Sequence, residues 1–382
     1  MPVRDAIEPS KCRVCSSTTE TIYRSERDYG LTSSASIIKA QTIVDACRTC
    51  GHAQTRPLDD LFQYYASEYN FRTRSPDEDD LCGSGSGVAY RSQIQADIVS
   101  RLIDLEKPLD VLDYGCGKAR TLQILCQRHP SIRPFVFDVS DAYREYWDEF
   151  VPREAQASFR LPSEWAARFD VVLSFFALEH VGGPSAFVTE IRSLLKEDGR
   201  AVIVLPNVYS NYGDFIVVDH VNHFSPQSLR RLFATDFGTV EVDTAAQVGW
   251  HVVNAAAVSN GASHVASDPA SPDAIAAFWR DLEERVRRVE RQSSSQRLAI
   301  YGSGIFGLFI AGALARPESI ACFLDRNPFR EGLEFFGAPV VPPERLPEDV
   351  DLVFVGLNPE YARAAIAALP GLMRSGREFV FI

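Results

Sequence analysis

Val111-Leu112-Asp113-Tyr114-Gly115-Cys116-Gly117 reads as a strand that ends on a carboxylate and turns through two glycines into a helix. Glycine is needed where a backbone bends tightly and lets a ligand come close. Twenty-five residues after Asp113, the strand candidate Phe135-Val136-Phe137 ends in Asp138. A carboxylate there can accept both hydroxyls of a ribose. The loop continues Lys118-Ala119-Arg120, so a third glycine is missing and the pyrophosphate cradle of dinucleotide folds is incomplete. Strand candidates fall at Asp110–Tyr114, Pro134–Asp138, Phe169–Phe175, Arg200–Leu205, Val240–Thr244 and His251–Val258, with helical segments between the first four. This alternation predicts an α/β fold: a mostly parallel sheet covered on both faces, closed by an antiparallel hairpin at one edge.

An acidic residue followed by Gly-x-Gly resembles motif I of the class I S-adenosylmethionine-dependent methyltransferases. The resemblance covers roughly residues 88–258 and implies a Rossmann-like sheet. It also implies S-adenosyl-L-methionine as cofactor, held by Asp113, Gly115, Cys116, Gly117, Asp138 and Phe175. A tight turn in some other doubly wound domain is the alternative.

With 382 residues, 46% hydrophobic and 24% charged, the chain has globular composition and room for two or three domains. Its 39 Lys and Arg stand against 51 Asp and Glu, a net charge of −12. That balance argues against nucleic acid or an anionic membrane as partner, because both call for a basic footprint. The longest apolar run, from Ile305 to Ala315, is far too short to span a bilayer, and nothing near Met1 has the layout of a signal peptide. A cytoplasmic protein is expected, as a monomer or homodimer.

Eight cysteines include two pairs, Cys12-Arg-Val-Cys15 and Cys47-Arg-Thr-Cys50. Two residues between thiolates let both sulfurs of a turn reach one tetrahedral ion, and four thiolates close the shell against water. The expectation is structural Zn2+, against redox pairs or free thiols. The strand Thr42–Ala46 would feed the second pair, and His52 is a bystander. Residues 1–87 form this module and a lid segment that includes a helix over Asp59–Tyr69 and a loop from Phe71 to Gly87. Residues 88–260 form the cofactor domain, 261–296 a linker and a charged helix, and 297–382 a smaller Rossmann-like unit.

That last unit opens with Ile300-Tyr301-Gly302-Ser303-Gly304-Ile305-Phe306-Gly307, with Asp325 at the end of the next strand. The pattern matches a dinucleotide fingerprint, but about 85 residues are too few for a full dinucleotide domain. The loop either contacts a nucleotide phosphate at its helix N-terminus, through Gly302 and Gly304, or is a turn that binds nothing.

A four-cysteine module, a methyltransferase domain and a half-Rossmann domain, in that order, resemble the sugar C-methyltransferases acting on nucleotide-linked keto-deoxysugars. The resemblance covers essentially the whole chain and implies a nucleotide-linked sugar as the small-molecule substrate. Glu68-Tyr69-Asn70-Phe71 with Ser75 matches that family's aromatic stretch, which makes Tyr69 a candidate phenol. Glu179-His180 matches its Glu-His after the fourth strand. Val217-Val218-Asp219-His220-Val221-Asn222-His223-Phe224-Ser225 matches a Tyr-x-Glu-His segment, with valine in place of the tyrosine and a shortened carboxylate.

Methylating carbon requires that a proton alpha to a carbonyl leave, work suited to a histidine whose tautomer a carboxylate fixes. On this reading His220 is the base and Asp219 its support, while His180 and Tyr69 polarise or position the ketone. Asn222 and His223 are reserve substrate contacts. Alternatively, His180 caps or packs, and His220 and His223 lie on one surface helical face or ligate a metal with Asp219. Rival functions are O- or N-methylation, an NAD-dependent oxidoreductase using the Gly302 loop, and a zinc-bearing interaction protein with a degenerate methyltransferase fold.

Overall fold

The computed structural model describes residues 10–58, 79–82, 89–245, 248–258, 271–293, 297–373 and 377–382. The expected helix over Asp59–Tyr69, including Tyr69, lies outside the described residues. So do Ser75, the glycine-serine stretch 83–87 and most of the linker.

Seven strands form the central sheet: β1 Leu109–Tyr114, β2 Ile132–Asp138, β3 Gln156–Ser158, β4 Phe169–Phe175, β5 Leu195–Pro206, β6 Thr239–Ala245 and β7 Trp250–Ala256. Their spatial order is 3-2-1-4-5-7-6. The first five are parallel, and β7 runs antiparallel to both β5 and β6. The near-continuous apolar run of β4, Phe-Asp-Val-Val-Leu-Ser-Phe, is what a central parallel strand buried on both faces needs. Helices α1 Arg120–Arg128, α2 Pro184–Leu194 and α3 Pro226–Phe233 cover the sheet. A reciprocal cap starts α3, with Ser225 Oγ accepting from the Ser228 amide and the Ser228 hydroxyl from the Ser225 amide.

The cysteine pairs flank a small antiparallel sheet of Glu20–Arg24, Ile43–Ala46 and Ala53–Thr55. At the other end, Leu298–Tyr301 is the hub of a second sheet, with Ile320–Leu324 on one side and Leu352–Val355 on the other. The charged helix Pro272–Gln292 is more than a solvated rod. Ile275, Trp279, Leu282 and Val286 are buried in the core shared by the N-terminal strands and the second sheet, and Trp279 Nε1 donates to the Tyr212 carbonyl at 2.9 Å. Burying Trp279 contributes on the order of 4 kcal/mol. Among the described residues no helix is long and apolar enough to cross a membrane.

In the second sheet's loop, Gly307 and Gly302 are glycine for packing reasons. A Cβ on Gly307 would lie 1.9 Å from the Gly302 carbonyl oxygen, and one on Gly302, at φ +95°, 2.5 Å from that of Gly356. Gly304 is different, since a Cβ there meets nothing within 4 Å.

Candidate active site

Both glycine loops open onto one cavity of about 1300 Å³. At its first end, β1 delivers Asp113 to the turn, where Gly115 and Gly117 adopt φ +71° and +49°. The Gly115 and Cys116 amides donate to the Phe137 carbonyl, which ties the loop to β2. Asp138 at the end of β2 accepts the Gly117 amide at 2.8 Å and the Ser140 amide at 3.0 Å. A carboxylate has about four lone-pair directions, so acceptor capacity remains for a ribose hydroxyl. Ala119 takes a left-handed φ of 55° ahead of α1, whose first residue, Arg120, stands where the third glycine of a dinucleotide loop would be. Cys116 and Phe175 line the same wall.

Asp113 is 2% exposed, and its Oδ1 has no hydrogen-bond partner among the described residues. Burial, and then the charge of Asp138, push its carboxyl up to about 8. An orphaned buried acid awaits a cation, and S-adenosylmethionine carries an ammonium and a sulfonium, so the residues present fit that cofactor. If the cofactor's ammonium meets ionised Asp113, binding releases a proton below that value. S-adenosylhomocysteine affinity is then expected to rise by up to about tenfold per pH unit toward pH 8 and to level off above it. Calorimetry across pH 6–9 checks this; Asp113→Asn should flatten the profile.

Midway along the cavity β4 ends at Phe175, Phe176 turns the chain at φ 55°, and the short helix Leu178–His180 presents Glu179 and His180. Opposite them is His220, which follows the short helix Tyr212–Ile216. The two imidazoles meet edge to face with centroids 4.7 Å apart. His180 Nδ1 lies 3.0 Å from the Asp219 carbonyl oxygen. A carbonyl only accepts, so Nδ1 carries the proton and Nε2 the lone pair. His220 Nδ1 lies 3.3 Å from Asp214 Oδ1, an ion pair rather than a well-aligned hydrogen bond, and Asn211 Nδ2 holds the other Asp214 oxygen at 2.8 Å. Burial lowers the His220 imidazole, but Asp214, with Asp219 and Glu179 behind it, carries it up to about 9. Burial and the charge of His220 lower His180 to about 4, while burial raises Glu179 to about 7.

Three expectations are corrected here. Asp219 is not the carboxylate that pairs with His220; it accepts from the Ser33 amide at 2.8 Å and the Ser33 hydroxyl at 2.6 Å and adds only its charge, while Asp214 stands in the place expected of it. Asn222 and His223 do not face the cavity. The Asn222 amide donates to the Leu178 and Val181 carbonyls, and His223 Nε2 pairs with the Thr55 hydroxyl at 2.8 Å, because this stretch is the seam with the N-terminal sheet. Nor are His220 and His223 surface residues on a helix, being 5% and 3% exposed on irregular backbone. Asp214, six residues before His220, escapes notice in the sequence, since no regular period joins two residues across a short helix and a turn.

At the far end Gly302 and Gly304 line the cavity beside Arg326 and Arg330. Asp325 is occupied, accepting the Ser303 amide and hydroxyl and the Asn327 amide at 2.6–3.0 Å. Asp80 bridges Arg91 of the first domain, at 2.8 Å, and Arg330 of the second, at 3.8 Å.

Cys12, Cys15, Cys47 and Cys50 bring their sulfurs within 4.8 Å of one another, with Cys12–Cys50 at 3.6 Å and Cys15–Cys47 at 3.5 Å. A zinc tetrahedron with bonds of about 2.3 Å has edges of about 3.8 Å. The cluster is compatible with zinc.

Residues 88–239 match the model of a family described as methyltransferase domain. No curated protein matches the chain. Among solved structures, the methyltransferase in complex with the Trm112 methyltransferase activator of Haloferax volcanii is 18% identical at TM-score 0.38, covering 44% of this chain and 89% of its own. The CurJ carbon methyltransferase is 14% identical at 0.37, and an O-methyltransferase family protein from Burkholderia thailandensis 16% at 0.36. Each covers 44% of this chain, which spans 54% and 57% of their lengths. Residues 88–239 are a methyltransferase domain, and the chain is an S-adenosylmethionine-dependent methyltransferase.

Proposed function

We propose that this enzyme methylates a carbon alpha to the ketone of a nucleotide-linked keto-deoxysugar. The observation that carries the reading is the single cavity running from the Asp113 loop, past His220, to the Gly302 loop. Cofactor at one end and a nucleotide at the other leave the sugar beside the histidines. His220 is the base, with Asp214 as its carboxylate: it takes the alpha proton, the carbon's electron pair forms the bond to the methyl, and the S–CH3 pair returns to sulfur. The imidazolium so formed lies beside the enolate. His180 cannot donate from Nε2 while Nδ1 holds the proton, so it accepts a hydrogen bond from a sugar hydroxyl rather than polarising the ketone. Zn2+ at the four cysteines is structural.

Calorimetric titration with S-adenosylhomocysteine, then with thymidine diphosphate in its presence, tests both ends. Binding of both is expected; binding of the first alone moves the acceptor elsewhere. Gly304→Ala adds a methyl in open space, so it should leave stability unchanged within about 1 kcal/mol yet weaken the diphosphate by about tenfold if phosphate approaches that backbone. Val217 lines the cavity at the position where the sugar C-methyltransferases carry tyrosine, which favours O- or N-methylation as the second reading. Exchange of the acceptor's alpha proton with solvent separates the two, as only carbon chemistry requires it.

A further inference from the structure

Glu179 is 1% exposed, and neither carboxylate oxygen has a hydrogen-bond partner among the described residues. Its charge adds to the field that raises His220, yet no described residue hydrogen-bonds either oxygen. A buried carboxylate without a hydrogen-bond partner costs several kcal/mol as an ion, so the position calls for a compensating charge close to its oxygens. Its candidate ligand atom lies within 4.8 Å of one on each of His180 and His220, all three on the cavity wall. Both imidazoles are held from behind at Nδ1, His180 by the Asp219 carbonyl at 3.0 Å and His220 by Asp214 at 3.3 Å. Metal-binding histidines are commonly oriented by such an outer partner on one ring nitrogen, which fixes the tautomer while the other nitrogen meets the ion.

We propose that Glu179, His180 and His220 bind a first-row divalent cation such as Zn2+ or Co2+, at a site separate from the four cysteines, and that the bound ion silences methyl transfer. Two imidazoles and a carboxylate suit such ions, whereas Mg2+ and Ca2+ favour all-oxygen shells. The side open to the cavity leaves room for water or an acceptor oxygen. The inhibition rests on the function proposed above, because an Nε2 lone pair committed to a metal cannot take a proton. The site itself does not rest on it.

The test is a Co2+ titration of protein whose cysteine site is already filled with zinc, followed by calorimetry and visible absorption. One further equivalent is expected, with ligand-field bands and no thiolate charge-transfer band in the near ultraviolet. Glu179→Gln and His180→Asn should each weaken it at least tenfold, and Asp214→Asn by about tenfold. Retained S-adenosylhomocysteine binding in the same samples shows that each variant is folded. Loss of turnover in step with the second equivalent supports the inhibitory role, and full turnover at saturation overturns it. Absence of turnover on any keto sugar counts against the function alone, since the titration is read without it. No second equivalent, or one that both variants bind like the parent chain, would remove the site.

Discussion

His220→Gln is expected to lower kcat by about 10²- to 10⁴-fold, the usual contribution of a positioned base, with S-adenosylhomocysteine affinity unchanged. His220 lines the cavity apart from the residues proposed to hold the cofactor, so on the proposed reading the loss belongs to the transfer step. Solvent exchange of the alpha proton should vanish in the same variant. The pH dependence has a definite sign. In the resting protein Asp214, helped by Asp219 and Glu179, holds the imidazole near 9 against its burial, while His180 stays neutral beside it. A base must shed its proton before it can act, so kcat should climb with pH toward about 9. Asp214→Asn removes the main cause of that elevation and should move the rising limb to lower pH while reducing the plateau. Asp219→Asn should leave the limb near its place and appear as lost stability, because that carboxylate is spent on Ser33. The opposite ranking of the two aspartates would restore the pairing expected from adjacency in sequence.

What the sequence made legible follows from how local each signal is. The Asp113 loop needs its glycines for backbone reasons that operate within five residues, and β1, β2 and β4 announce themselves as buried apolar runs. The short strand β3 has no such run: Gln156-Ala157-Ser158 is a strand because the edge of β2 offers it partners. Ala338–Val341 was hidden in the same way, carrying Pro339 and held between Ile320–Leu324 and the two-residue edge strand Glu334–Phe335. At the histidines the residue types were visible and the pairings were not. Neighbouring side chains on irregular backbone diverge, which separates Asp219 from His220, and contacts between modules decide where Asn222 and His223 point. Polar residues on a covered seam look like site residues until the element that covers them is known.

That seam makes the second large effect one of metal loss at a distance. Cys47→Ser, or stripping the four-cysteine site with a strong chelator, is expected to lower stability by several kcal/mol, since structural zinc is part of the folding free energy of such modules. The consequence should reach the His220 segment. Ala53 and His223 exchange backbone hydrogen bonds, the Thr55 amide donates to the Val221 carbonyl, and the Val218 amide donates to the Leu31 carbonyl. The Arg13 guanidinium, one residue from Cys12, donates to the carbonyls of both Val221 and Thr55. His220 therefore hangs on a strap whose outer side is the cysteine module, whereas the Asp113 loop is anchored inside the central domain, to β2 and to the Trp147 indole, which donates to the Gly117 carbonyl at 2.6 Å. Removing the metal should raise amide exchange over residues 217–223, lower kcat, and leave S-adenosylhomocysteine binding in place. If the cofactor end were lost together with the strap, the two would be one cooperative unit. If neither changed, the module would be a separate domain with no hold on the chemistry.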